Sequence, residues 1–131
     1  MISPQKCLFD YYYKLIQDKG LPVYDYLPLQ DEPVTYPFVV ISQTQTVVDN
    51  TKYSRNDRVF LTIDVWGSKK QRKTVGEIAD GLLNSAIGNV QTDVYKFYGL
   101  PKQQSLDMSI DTSVPNTVFQ RGNLQLELSV I

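Results

Sequence analysis

Two carboxylates are the first candidates for chemistry. Asp64 and Glu127 each lie on the polar side of a segment in which apolar and polar residues alternate, the pattern of a half-buried strand. If the two strands are neighbours, the pair could act as a general acid and base or hold a divalent cation. The simpler interpretation is two solvated charges on strand faces, and no further residue supports a catalytic site. We therefore predict a non-enzymatic protein without catalytic residues, metal or cofactor.

The residues that are missing narrow the chemistry further. Histidine is absent and Cys7 is the only cysteine. Imidazole is the usual general base and the commonest metal ligand, so zinc sites and Ser–His–Asp or Cys–His catalysis are excluded. A single cysteine cannot form an internal disulfide, which indicates a reducing compartment. Cys7 is expected to behave as a small hydrophobic residue.

Length and charge point to one soluble domain. The chain has 131 residues, an ordinary size for one domain (1–131) with its own core. Its 13 basic and 14 acidic residues nearly balance, so no global basic field attracts nucleic acid. No apolar run approaches the roughly 20 residues that span a bilayer, and charges near the N-terminus interrupt any signal-peptide core. We expect no membrane contact and assembly in the cytoplasm.

A basic cluster is the next candidate for binding. Lys69, Lys70, Arg72 and Lys73 lie together at the predicted start of the second helix. Positive charge there opposes the helix dipole, which an acidic partner surface would explain. The alternatives are a solvated helix face and a nucleic-acid contact. The nucleic-acid alternative requires further cations on the same face, namely Lys52, Arg55 and Arg58.

Three aromatic residues indicate a subunit interface. Phe60 and Trp66 lie on the strand face that is expected to contact water, and two aromatics on one exposed face suggest a covered surface. Tyr13 is the last of three consecutive tyrosines, which cannot all face the core because helical residues advance by about 100° each. Tyr and Trp are enriched at protein interfaces. The alternative is partial burial under the proline-rich segment that precedes residue 38.

The pattern along the chain predicts an α+β fold with a mostly antiparallel sheet and two helices packed on one face. Ser3 and Pro4 begin the first helix and Gly20 ends it. A capping-box spacing from Ser68 to Gln71 predicts that the second helix begins at once. The predicted strands are a short one near 23–26, a buried one at 38–44, and others at 58–66, 94–98, 106–111 and 118–130.

The segment 45–57 is predicted to be a loop. It is polar and charged without a clear period, and its thirteen residues exceed the two to five or so of a usual hairpin loop. Long loops are usually functional or disordered. We therefore predict that it docks on a partner, with a mobile connector as the alternative. The predicted docking residues are Thr46, Val47, Val48, Asp49, Asn50, Lys52, Tyr53 and Arg55.

Over its first 87 residues the chain resembles the tail terminator, or tail completion, proteins of long-tailed bacteriophages. The likeness rests on the order of a first helix, a proline-rich approach, a buried strand, a polar loop, an alternating strand and a second helix. The segments concerned are YPFVVIS (36–42), RVFLTIDVWG (58–67) and KTVGEIADGLLNSAI (73–87). The last third matches only as further strands, and none of these segments is a catalytic motif.

The resemblance implies a structural virion protein at the head-proximal end of the tail. Such proteins form a ring, usually a hexamer, that caps the tail tube, stops its growth and offers a surface to the head connector or neck proteins. Loops between strands reach the major tail tube protein, and DNA passes through the lumen without sequence-specific binding. The alternatives are a head-closure, neck or other head–tail joining adaptor and, from other classes, a carboxylate enzyme or a nucleic-acid-binding module.

Overall fold

A computed structural model describes residues 2–28, 32–50 and 55–131. It contains two α-helices and seven β-strands in one sheet. The elements in chain order are α1 (Pro4–Asp18), β1 (Val23–Tyr24), β2 (Phe38–Asn50), β3 (Arg55–Ser68), α2 (Arg72–Ser85), β4 (Gly88–Gln91), β5 (Lys96–Gly99), β6 (Ser105–Asp111) and β7 (Phe119–Val130), with a short 3-10 helix at Pro101–Gln103. No helix in the described ranges is long and apolar enough to cross a bilayer.

Helix α1 has the ends that its sequence predicts. The Ser3 hydroxyl accepts a hydrogen bond from the Lys6 amide at 3.2 Å, and Pro4 occupies the first turn, where its missing N–H costs nothing. Gly20 follows the helix with φ of +80°, a left-handed conformation that favours glycine.

The sheet is antiparallel except at one edge. Its order is β1-β2-β3-β7-β5-β4, and only β1 pairs in parallel, with two residues of β2. Strand β7 lies at the centre, with β3 along one side. Its other side is shared, because β6 pairs with the first half of β7 and β5 with Ser129 and Val130. The predicted α+β class and mostly antiparallel sheet are confirmed.

Both helices cover the same face of this sheet, which we call the inner face. The apolar stripes of α1 and α2 meet alternate residues of β3 and β7 in one buried cluster, as the alternation predicts. Gly122 on β7 allows α2 to approach closely, since an added Cβ there would lie 3.2 Å from the Ala79 Cβ. The central residues of the cluster are Leu8, Tyr12, Ile16, Val59, Leu61, Ile63, Val65, Val75, Ala79, Leu82, Leu124, Leu126 and Leu128.

The predicted loop at 45–57 is wrong. Strands β2 and β3 pair without interruption from Gln43↔Thr62 to Asn50↔Arg55, so a long hairpin replaces the loop. The segment has few core-facing apolar residues because much of β2 is solvent-accessible on both faces, and the alternation that marks a strand is therefore missing. Its Thr and Val content nevertheless favours extended structure. Residues 51–54, between the two paired strands, lie outside the described residues, so the prediction is not tested there.

Two other boundaries differ from prediction. Helix α2 begins at Arg72 rather than at Ser68, because Ser68 still pairs with Phe119 in the sheet. The Gln71 side chain does accept from the Ser68 amide at 2.9 Å, so half of the predicted capping box exists within a turn. The strand predicted at 94–98 is half of a hairpin, in which β4 pairs with β5.

Candidate functional site

The hairpin is the first candidate surface. The last β3–β7 pair is Arg58↔Ser129, so residues 48–50 and 55–57 extend beyond β7; we call these residues the distal hairpin. Thr46 and Val47 are half-buried and Val48 is 44% exposed. The backbone of Asp49, Asn50 and Arg55 belongs to the paired strands, whereas the predicted docking residues Lys52 and Tyr53 lie outside the described residues.

The three predicted interface aromatics do not lie together. Phe60 and Trp66 are half-buried on the face of β3 opposite the helices, the outer face. The Arg58 guanidinium lies over the Phe60 ring at 5.6 Å from its centroid. Tyr13 lies on α1 instead, where it stacks on Phe9 and its hydroxyl donates to the Val23 carbonyl at 3.2 Å. Tyr13 therefore packs partly within its own chain.

An aromatic groove on the outer face was not predicted. Tyr36, Phe38, Trp66 and Phe119 form a connected series of ring contacts with centroids 5.2 to 6.2 Å apart. They form one wall of a groove of about 410 Å³, and Leu27, Pro28 and Val34 contribute further apolar surface. The only sequence signal was the density of aromatic and proline residues in 22–38, and their partner Phe119 is distant in sequence.

The groove also contains polar groups, one of which lacks a hydrogen-bond partner. The Trp66 Nε1 is buried without a hydrogen-bond partner in the part of the chain that the structure describes. Glu32 and Asp111 line the groove. Ser113 donates to Asp111 from its hydroxyl at 2.6 Å and from its amide at 2.9 Å, which lowers the pKa of this carboxyl. The groove therefore combines apolar walls, a carboxylate held in its charged form and a free indole donor.

The two carboxylates that suggested chemistry are separated. Asp64 pairs across the sheet with Asn123, four residues from Glu127 along β7, which corresponds to about 13 Å. One Asp64 oxygen accepts hydrogen bonds from Arg121 Nε at 3.0 Å and from Asn123 Nδ2 at 2.8 Å, and it lies 2.9 Å from Arg121 Nη2 in an ion pair. Glu127 instead lies 3.7 Å from Arg58.

These contacts are those of structural ion pairs. Asp64 is only 5% exposed and its charge is matched by a guanidinium, as buried charges require. Across the described ranges, no group of three or more acidic or cysteine side chains could hold a metal ion. The arrangement therefore provides no proton-transfer pair and no cation site from these residues.

The basic cluster is exposed. Lys69 and Lys70 lie in the turn after β3, and Arg72 and Lys73 begin α2. Lys73 lies 3.9 Å from Glu77 in an exposed pair, whereas Lys69, Lys70 and Arg72 have no ion-pair partner among the described residues. The turn is fixed by Gln120, whose side chain donates to the Lys69 carbonyl at 3.1 Å.

Comparisons with known proteins identify a family from the sequence and a similar fold from the structure. The family described as tail completion protein gp17 matches residues 15–93, more than half of the 131-residue chain. A solved chain from the virion of a native gene transfer agent particle has a similar structure, with a TM-score of 0.67 over 98% of this chain and 94% of that chain. The two sequences are 15% identical, so this likeness concerns the fold. A comparison with curated protein sequences gives no match.

Proposed function

This chain belongs to the tail completion protein gp17 family, and from that membership we infer that it is a structural protein of a phage tail that forms a ring, of six subunits, on the end of the tail tube. The ring ends tube polymerisation and provides the surface that joins the tail to the head. It acts by binding and not by catalysis.

The family match over residues 15–93 carries this proposal. The similar fold in a chain of a gene transfer agent virion supports it, because the likeness extends over nearly the whole chain. The molecular surface is consistent with assembly, since an aromatic groove, an exposed basic cluster and a long hairpin all lie outside the helix-covered core. The carboxylates that could have indicated an enzyme are used in ion pairs within the chain.

The proposed partners follow from this position. The ring contacts the major tail tube protein on one side and head connector or neck proteins on the other, and DNA passes through its lumen without sequence-specific contacts. The site of action is the head-proximal end of the tail in the virion, after assembly in the host cytoplasm. Copies of this chain are the remaining partner.

Tail length and ring formation test the function directly. Tail tubes assembled with the protein should end in a ring visible by negative-stain electron microscopy, and tubes assembled without it should grow overlong or fail to join heads. A protein that binds head connectors but never tube ends would instead be a head-closure or neck adaptor. A protein that binds neither would contradict the proposal.

A shortened hairpin tests whether the distal hairpin contacts the tube. Replacing residues 49–56 with Asn-Gly would join the Val48↔Asp57 pair through a two-residue turn. The two strand pairs that the variant removes lie beyond β7 and are replaced by a favoured hairpin turn, so the melting temperature should change little. The variant should fail to cap tubes. Normal capping would show that the docking surface lies elsewhere, with the basic cluster as the next candidate.

A further inference from the structure

Strand β2 has a long free edge. Strand β1 pairs only with Val39 and Val40, so within the described ranges no strand pairs with the outer edge of β2 beyond this point. Ser42, Gln43 and Gln45 are exposed there. Alternate backbone N–H and C=O groups of this edge therefore face solvent, available to a further strand.

This edge lacks most of the features that protect a free edge. From Ile41 to Val48 the strand contains no charge and no proline, and one irregularity between Ile41 and Gln43 is its only interruption. Edge strands of soluble monomers usually carry lysine, proline or strong bulges, because a flat uncharged edge pairs with other chains. The composition indicates an edge that is covered after assembly.

Strand β6 has a further free edge, longer than that of the four-residue terminal strand β4. It pairs with β7 on one side over seven residues, and no described strand pairs with its other side. Through the order β2-β3-β7-β6, the two free edges lie on opposite sides of the same sheet. Because each of these three neighbouring pairs is antiparallel, β2 and β6 run in opposite directions.

We propose that β6 of one copy pairs with β2 of the next copy, so that the sheets of neighbouring subunits join edge to edge around the ring. Rotation about an axis roughly along the strands preserves their direction, so the new pair is antiparallel, like its neighbours. Two different edges that meet form a head-to-tail interface, and such interfaces generate rings when the rotation closes. The inference rests on the proposed ring function and specifies the contact that builds the ring.

The side-chain faces agree with this pairing. Gln45 pairs with Phe60 and therefore lies on the outer face of β2, as Asp107 does on β6 through its partner Asn123. When Gln43, beyond the irregularity of β2, lies opposite Ser109, Gln45 comes opposite Asp107. Residues on the outer face of one copy then lie beside residues on the outer face of the next copy, as a single continuous sheet requires.

Charge disfavours a symmetric pair formed by two β6 edges. Two β6 edges together would bring four carboxylates onto one patch, because each copy contributes Asp107 and Asp111, and like charges across a strand pair are destabilising. Opposite β2, the same carboxylates meet no charged residue, because Ile41–Val48 contains none. A symmetric pair of two β2 edges is uncharged and is the competing outcome.

Cysteine cross-linking of the full chain tests the contact. In a Cys7→Ala background, Gln45→Cys combined with Asp107→Cys should give covalent oligomers up to the ring size after mild oxidation or a short thiol cross-linker. Two further pairs test a register that is shifted by two residues in either direction. In these pairs, Gln45→Cys is combined with Ser105→Cys or with Ser109→Cys. The matched control is Thr44→Cys with Asp107→Cys, which lie on opposite faces and should remain monomeric on denaturing gels.

The outcomes separate the contact from the function. The reactions are run on concentrated protein and on protein bound to purified tail tubes. Rings that never cross-link in any of the three β2–β6 combinations would overturn this inference and leave the proposed function intact. Dimers from Gln45→Cys alone would show the symmetric β2 pair and would also overturn it. No ring under either condition would contradict the proposed function and the contact together.

A charge test gives a second readout. Gln43→Glu with Gln45→Glu should raise the concentration needed for ring assembly at least tenfold, with an unchanged melting temperature, because the added carboxylate at position 45 lies opposite Asp107 and like charges across a strand pair are destabilising. The control is Gln17→Glu with Asn84→Glu, which adds the same charge at exposed helical positions and should assemble normally. Equal assembly of both double variants would contradict edge pairing.

Discussion

The two faces of strand β3 differ in what covers them. On the inner face every core residue is at most 1% exposed, because both helices pack there. On the outer face, Phe60 and Trp66 remain half-buried, and Asp64 is covered mainly by side chains of β7. The inner-face residues of β3 are Val59, Leu61, Ile63 and Val65. The comparison indicates that the inner face stabilises the monomer, whereas the outer face retains surface that a partner can still cover.

The largest expected effect is on the inner face. Leu61→Ala removes a side chain that is 1% exposed and leaves a cavity beneath the helices, so the free energy of unfolding should fall by about 2–5 kcal/mol. Urea denaturation followed by circular dichroism measures it. A loss below about 1 kcal/mol would contradict the assignment of this face as the dominant core.

The ion pair on the outer face should have the next largest effect. Asp64→Ala removes an acceptor of two hydrogen bonds and leaves the Arg121 charge without its carboxylate, so we expect a loss of about 1.5–3 kcal/mol. The control is Asp10→Ala, which breaks the exposed Lys6–Asp10 pair at 2.8 Å and should cost less than about 0.5 kcal/mol. Equal losses would show that burial on the outer face does not strengthen its ion pair.

A buried tyrosine should make inner-face packing sensitive to alkaline pH. Burial raises the pKa of Tyr12 from 10.0 to about 12, and a hydrogen bond from Ser85 at 3.2 Å only partly opposes this. Because the folded-state pKa is the higher one, this contribution is fully present below pH 10 and is lost as pH rises towards 12. Two pKa units correspond to about 2.7 kcal/mol at most.

Tyr12→Phe separates this contribution from other titrations. At pH 7 the variant should lose only about 0.5–1.5 kcal/mol, the usual value of one hydrogen bond. Between pH 10 and 12 its stability should fall less steeply than that of the wild type. If the free energy of unfolding falls equally with pH in the two proteins, the pKa of Tyr12 is not raised in the folded state.

A much smaller loss of stability than that of Leu61→Ala is expected at its neighbour in sequence. Phe60→Ala changes the neighbour of Leu61 on the outer face, where the ring is half-buried, so the loss should stay below about 1.5 kcal/mol. Its effect should be seen in ring assembly instead, as a higher concentration for half-maximal oligomerisation by light scattering. If Phe60→Ala destabilises the monomer as much as Leu61→Ala, the two faces do not differ as proposed.

The parts of the fold that were predicted correctly have strong local signals. The apolar run at Phe38–Ile41 predicted a strand buried on both faces, and all four residues are at most 4% exposed. The alternation in 118–130 predicted β7 almost to its ends. Both patterns predict well because an apolar run or an alternation records directly which faces of a strand are buried.

The parts that were missed depend on contacts between distant residues. The hairpin at 45–57 is held by backbone pairing between two segments, and such pairing leaves little pattern in side chains that face solvent on both sides. The aromatic groove likewise joins Tyr36 to Phe119, more than eighty residues apart in sequence. The docking role of the hairpin and the interface role of Tyr13, Phe60 and Trp66 stay predictions.

The sequence alone determined the ends of α1, the apolar stripes, the class of fold and the absence of imidazole chemistry, because each follows from residue type and short-range spacing. Tertiary structure decided which charges meet and which edges stay open. Asp64 pairs with Arg121 and not with Glu127 because the register of β3 on β7 places Trp66, two residues from Asp64, opposite Arg121. The free edges of β2 and β6 follow from strand order, and strand order is a property of long-range pairing that no local pattern records.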